Sequence, residues 1–289
     1  MKTLSNSRLT IKVSPHGAEL CSIQCDGKEY LWQADPAYWN RHSPVLFPIV
    51  GRVWEDVYRH DGKSYGLPQH GFVRDMDFEL VSESDNGIRY RLTDSEETRK
   101  KYPFPFCLEI GYRIEGKKIE VIWQVRNTGD KEIHFQIGAH PAFYYPGYVA
   151  ETEDRGFFGF GKKEGLRYIL IAEKGCANPT KEYPLELTEG LLPINVHTFD
   201  KDALIMENSQ VKEVTLYDKE KKPVLSLYFD APLVGLWSPP AKNAPFVCIE
   251  PWYGRGDRAY YAGDYKDKDW MQHLMPGEAF DGGYTIEIR

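Results

Sequence analysis

Polar and apolar residues alternate at every second position through much of this chain. Leu9, Ile11 and Val13 share one parity, and Phe106, Leu108, Ile110, Tyr112 and Ile114 repeat the pattern. A period of two marks strands with one buried face. Turn residues punctuate these runs. Residues 18–32 predict a hairpin around Asp26-Gly27, and residues 78–92 predict another around Asn86-Gly87. The run ending at Ile114 turns at Glu115-Gly116 into residues 119–125. The turn Asn127-Thr128-Gly129-Asp130 then leads to Ile133, Phe135 and Ile137. Residues 214–217 and 224–229 flank a charged turn, and 284–288 close the chain on a last strand. Only residues 94–101 predict a helix, short, with Asp94 or Ser95 as its cap and Pro103 beyond its end.

Many short strands without a βαβ rhythm predict an all-β antiparallel sandwich or barrel. Residues 150–200, richer in Gly, Lys and Glu, suggest an irregular insertion. No linker, composition break or repeat appears, so residues 1–289 are expected to form a single domain.

Composition sharpens this. The 19 Tyr, 14 Phe and 7 Trp suit sheets, and also clefts that stack on the flat faces of sugars. A net charge of −7 argues against nucleic acid or an anionic membrane surface as partner. No apolar stretch approaches the ~20 residues of a membrane span. The first residues lack the apolar centre of a signal peptide, so a cytoplasmic location is expected. Five cysteines show no metal-type pairing and are expected to be reduced. His134 and His140 lack a carboxylate at ligand spacing, so no metal site is expected.

The candidate chemistry begins with Glu250, in the apolar run Phe-Val-Cys-Ile-Glu-Pro-Trp (246–252). A carboxylate there is costly to bury without a partner, and its raised pKa would suit a base near neutrality. His70 lies in a Pro/Gly-bounded turn, and His140 follows a strand and precedes Pro141. Loops at strand ends are where β scaffolds carry working side chains. Arg52 ends an apolar, proline-punctuated stretch with a fork of donors suited to a substrate oxygen. Taken singly, each of these residues is as readily a structural group.

Five segments give them a common context: FPIVGR (47–52), QHGF (69–72), EVIWQVRNTGDKEIHFQIGAHPAF (120–143), LYFDAPLVGLWSPP (227–240) and CIEPWYG (248–254). In this order, over most of the chain, they resemble the aldose 1-epimerase (galactose mutarotase-like) family, and its bacterial LacX branch in particular. The resemblance implies a β-supersandwich with an open cleft. It also implies cofactor-free interconversion of the α and β anomers of a free aldose. Carried over, Glu250 matches the catalytic base, His140 the general acid, and His70 the histidine that bonds the substrate near its ring oxygen. Arg52 matches a substrate-contacting arginine and Asp202 an aspartate that holds sugar hydroxyls. Trp237, Trp252 and Tyr253 are candidates for a stacking face. After Glu250 the continuation Pro-Trp-Tyr-Gly differs from that of the galactose enzymes.

Two further readings stand beside this one. A hexose 6-phosphate epimerase would use Arg52, Arg74, Arg255 and Arg258 as a phosphate site. A non-catalytic sugar binder or sensor would keep the cleft alone. The oligomeric state is not legible in the sequence.

Overall fold

The computed structural model describes all 289 residues, and almost all its regular structure is antiparallel sheet. The larger sheet has nine strands. Their order is Leu191–Asn195, Asp154–Gly159, Glu213–Tyr217, Pro223–Phe229, Ala279–Ile288, Lys118–Asn127, Phe106–Glu115, Gly87–Thr93 and Glu79–Glu83. The second sheet runs Ala177–Pro184, Arg167–Ile171, Leu204–Met206, Leu233–Trp237, Phe246–Tyr253, Ile137–Ala139 and Val45–Leu46, with Ala142–Tyr144 also paired to Phe246–Tyr253. A four-stranded sheet from Lys2 to Glu29 completes the N-terminal region. No helix is long and apolar enough to cross a membrane.

The alternation decides which residues meet between the sheets. Val121, Trp123 and Val125 of one sheet and Val234, Leu236, Val247 and Ile249 of the other belong to a single buried cluster of 62 residues. The intervening residues of the second sheet (Leu233, Gly235 and Trp237; Phe246, Cys248, Glu250 and Trp252) therefore face away from this core. They pack in two smaller clusters or line the site. That outer face carries Glu250.

Most predicted turns are found. Asp26 and Gly27 both take positive φ between Leu20–Cys25 and Lys28–Glu29, as a tight hairpin requires. The helix is one turn, Glu96–Arg99. Ser95 caps it by accepting from the Thr98 N–H at 3.2 Å, and Thr98 Oγ1 accepts from the Ser95 N–H in return. One expectation changes. Residues 150–200 hold four strands that extend both sheets, rather than an irregular insertion. Two of them, Ala177–Pro184 and Leu191–Asn195, are the edge strands of the two sheets, and the Lys and Glu of the first suit an exposed edge. Glu250 lies within a strand that continues to Tyr253. Pro251 does not end it, since proline costs a strand only one ladder bond.

Candidate active site

Strand register explains how a histidine 110 positions away meets Glu250. Gly138 pairs with Trp252, and Ala142 pairs with Cys248. Both pairs converge on one register, so His140, in the gap between the two short strands, stands opposite Glu250. His140 Nε2 lies 3.2 Å from Glu250 Oε2, with the Glu250 side chain 1% exposed and that of His140 10%. On the other side Glu250 faces Gly235, which has no side chain to offer. The Trp252 indole fills that space. A Cβ on Gly235 would lie 2.4 Å from Trp252 Cη2, and one on Gly138 2.6 Å from Trp252 Cδ1. These two glycines let the indole lie flat beneath the carboxylate, and its Nε1 donates to the Ala139 carbonyl at 3.2 Å.

One segment, residues 42–51, holds both histidines. The His140 N–H donates to Pro44 O at 3.1 Å, and the Ala142 N–H donates to His42 O at 3.0 Å. The His70 N–H donates to Gly51 O at 2.7 Å, while the Gly51 N–H donates to His70 Nδ1 at 3.1 Å. Because Nδ1 accepts, the neutral His70 ring carries its proton on Nε2, ready to donate. His70 itself has φ 65° and Gly71 φ 72°. A Cβ on Gly71 would stand 2.0 Å from Phe47 O. Gly71→Ala is therefore expected to destabilise the protein by well over about 1 kcal/mol and to move His70. Thermal melting of the variant checks this, and an unchanged midpoint would contradict the close approach.

The histidine rings pack edge to face at a centroid distance of 5.5 Å. Trp39 lies over His140 at 4.7 Å and Trp237 meets it edge-on at 5.3 Å, both half-buried. Trp39 was not singled out from the sequence. The aromatic stretch Tyr38-Trp39 before Arg41-His42 was its only signal, and nothing in a one-dimensional pattern ties it to His140.

Burial shapes the electrostatics. It pushes the Glu250 pKa well above the ordinary carboxylate value of 4.5, helped by the negative charge of Asp202. It lowers His140 to about 3, helped by the positive charges of Arg74 and Arg41. His70 falls well below 6.5 through burial and the charge of His140. The Glu250–His140 contact lacks hydrogen-bond alignment. Glu250 Oε2 and His140 Nδ1 are both buried without a partner. Two orphaned polar atoms on adjoining buried side chains are uncommon in a folded protein and ask for an explanation. His140, Cys248 and Glu250 also bring one donor atom each within 4.8 Å of one another.

The other candidates are placed as follows. Asp202, with φ 71°, precedes the strand Leu204–Met206, accepts from the Ala203 N–H at 2.7 Å and stands near enough to act on Glu250. Arg52 is held by both carboxylate oxygens of Asp56, at 2.9 and 2.8 Å. Tyr253 alternates to the opposite face and packs on Phe280 at 4.9 Å, away from the cleft. Arg255 is buried between Glu207 and Asp269, each 2.6 Å away, and Arg258 forks onto Asp269. These last two guanidiniums are structural ion pairs.

Comparison with known proteins agrees with this architecture. A family model described as aldose 1-epimerase matches residues 1–286. The chromosomally encoded LacX protein of Lactococcus lactis subsp. lactis is 32% identical over 99% of this chain and 98% of its own length. A galactose mutarotase related enzyme from Lactobacillus acidophilus superposes with a TM-score of 0.93 at 35% identity, covering 100% of this chain and 97% of that one. A galactose mutarotase-like protein from Lactobacillus casei gives 0.94 at 30% identity, with 100% of both chains covered. The expected family and fold are borne out: the chain has the galactose mutarotase-like all-β fold and belongs to the aldose 1-epimerase family.

Proposed function

We propose that the protein is a mutarotase that interconverts the α and β anomers of a free hexose, with Glu250 as base, His140 as acid and His70 holding the sugar. The observation that carries this is the buried Glu250–His140 contact at 3.2 Å, each partner with an unbonded atom. Mutarotation needs a base at the anomeric hydroxyl and an acid at the ring oxygen. Both oxygens are bonded to the same carbon, so an adjacent base and acid reach both at once.

The same burial fixes how many protons the pair holds. A carboxylate beside a neutral imidazole would leave a bare buried anion, and a carboxyl beside an imidazolium a bare cation. Both are expensive in a dry site. The neutral combination has one proton, which the pair titrates jointly. With that proton on His140, Glu250 takes the hydrogen of the C1 hydroxyl. The C1–O5 electron pair moves to O5, O5 receives the His140 proton, and C1 becomes a carbonyl. Rotation about C1–C2 presents the other face. Reclosure then returns the proton from Glu250 to O1 and that of O5 to His140. The cycle balances with two side chains and no redox step. His70 Nε2–H donates to a substrate oxygen, and Trp39 and Trp237 offer apolar faces to the sugar C–H groups.

A free sugar suits the site better than a phosphorylated one. Arg52, Arg255 and Arg258 are already held by carboxylates, and Arg74 donates to Gln69 O at 2.7 Å. At Arg52, Arg255 and Arg258 a phosphate would have to displace these carboxylates. Supporting a catalyst over a passive binder, a sugar-binding cleft has no need of an unpaired buried carboxylate.

The pH dependence of kcat/KM tests this reading. The one-proton pair should persist from about 3, where His140 gains a proton, to well above 4.5, where Glu250 loses its own. The profile for hexose anomerisation is expected to show no acid limb at pH 4.5 or 6.5 and to fall on the alkaline side as Glu250 loses its proton. An acid limb at an ordinary carboxylate or imidazole pKa would contradict it.

A further inference from the structure

We propose that Glu132, His134 and His273 form a binding site for a divalent transition-metal ion of the zinc type. None of the three belongs to the catalytic cluster. Local sequence spacing hides the set, since His134 and His273 are 139 positions apart. Pairing of the strands Ile133–Phe135 and Gln272–Leu274 places them directly opposite each other. Their Nδ1 atoms are 3.1 Å apart, and His273 Nδ1 is 3.4 Å from Glu132 Oε1. One donor atom from each residue lies within 4.8 Å of the other two. Tetrahedral zinc with bonds of about 2.0–2.1 Å sets its donors about 3.3–3.4 Å apart, close to the two separations from His273 Nδ1 to His134 Nδ1 and Glu132 Oε1.

The surroundings fit the same ligand. Two imidazoles and one carboxylate are the donor set of borderline divalent ions rather than of calcium or magnesium. His134 is buried, and its backbone carbonyl is fixed by the Tyr102 hydroxyl at 2.8 Å. His273 and Glu132 are 46% and 42% exposed, so an ion can enter from solvent. Beside the trio, the His60 ring lies 5.9 Å from that of His134, and its Nδ1 is buried with no hydrogen-bond partner. Without metal, one of the facing Nδ1 atoms must carry a proton and donate it to the other. Metal binding moves that proton to Nε2 of the same ring and leaves both Nδ1 lone pairs on the ion. A fourth position is left for water, and the ion would staple the two strands together.

The test is a titration of chelator-treated full-length protein with Co²⁺ and Zn²⁺. We expect one equivalent bound, tetrahedral Co²⁺ absorption bands that Zn²⁺ displaces, and a raised melting temperature with Zn²⁺. His273→Ala and Glu132→Gln alter exposed side chains and should fold. Each is expected to weaken Zn²⁺ binding by at least about 100-fold, since loss of an outer-shell partner alone costs about 10–100-fold. Cys248→Ser should bind as wild type does. Two results would overturn the proposal: no binding by wild type, or binding that survives in His273→Ala. Loss of the ion in Cys248→Ser with retention in His273→Ala would assign it to the catalytic cluster instead.

Discussion

Glu250→Gln is expected to reduce catalysed anomerisation by about 10²–10⁴-fold, the usual contribution of one positioned acid–base group, without loss of stability. Glutamine keeps the shape of the side chain and cannot accept the hydroxyl proton. The stability half follows from the sign of the pKa shift. Burial raises the Glu250 pKa in the folded protein above its ordinary value. The folded state therefore binds this proton more tightly than the unfolded chain. Its favourable contribution is present below the unfolded pKa of 4.5 and disappears as pH rises through the folded value. At neutral pH the native glutamate costs stability, and a neutral isostere removes that cost. The variant should melt at or above the wild-type temperature at pH 7 while losing its rate. Polarimetry and calorimetry on the same preparation check both halves. A variant that loses rate only by unfolding would return Glu250 to a structural role.

Asp257→Ala is expected to have the largest effect on stability. Asp257 Oδ1 lies 3.0 Å from Lys268 Nζ, with side-chain exposures of 4% and 1%, and its Oδ2 accepts from the Trp54 N–H at 2.8 Å. The backbone here also joins the 51–57 segment to the region just after Glu250. The Asp257 N–H donates to Arg52 O at 2.8 Å, and a Cβ on Gly51 would stand 2.7 Å from the Gly256 nitrogen. Removing the carboxylate strands an ammonium inside the protein, at a cost of about 3–5 kcal/mol. At roughly 2–4 °C per kcal/mol for a chain of about this size, the melting temperature should fall by more than about 6 °C. Lys268→Met in the same chain removes the stranded charge and should recover part of the loss. A double variant no more stable than Asp257→Ala would show that the charge is not the cause.

Much of this architecture was legible in the sequence because strands and tight turns are local. The alternation 106–114, the Asp26-Gly27 turn and the Ser95 cap depend on neighbours a few positions away. Residues 150–200 were not legible. Their strands are the last two at one end of each sheet, have little periodicity, and are specified by the sheets they extend. The site divides in the same way. Glu250 drew notice as a carboxylate in an apolar run, and His70 and His140 through their Pro/Gly surroundings. The contact between His140 and Glu250 arises from register across two short strands, which no spacing encodes. Arg255 and Arg258 illustrate the reverse error. An arginine-rich motif suggests an anion site until the fold brings Asp269 and Glu207 to it. Trp39 and the His134–His273 pair are visible only in three dimensions.

Opening and reclosure of a free sugar ring by the Glu250–His140 pair is tested directly by two-dimensional NMR exchange spectroscopy, using purified protein with a panel of free hexoses at anomeric equilibrium. We expect α–β exchange cross-peaks well above the buffer rate for at least one hexose, reduced to the buffer level by Glu250→Gln. Wild-type exchange no faster than buffer across the panel, with saturable sugar binding retained, would contradict it and leave the protein a binder.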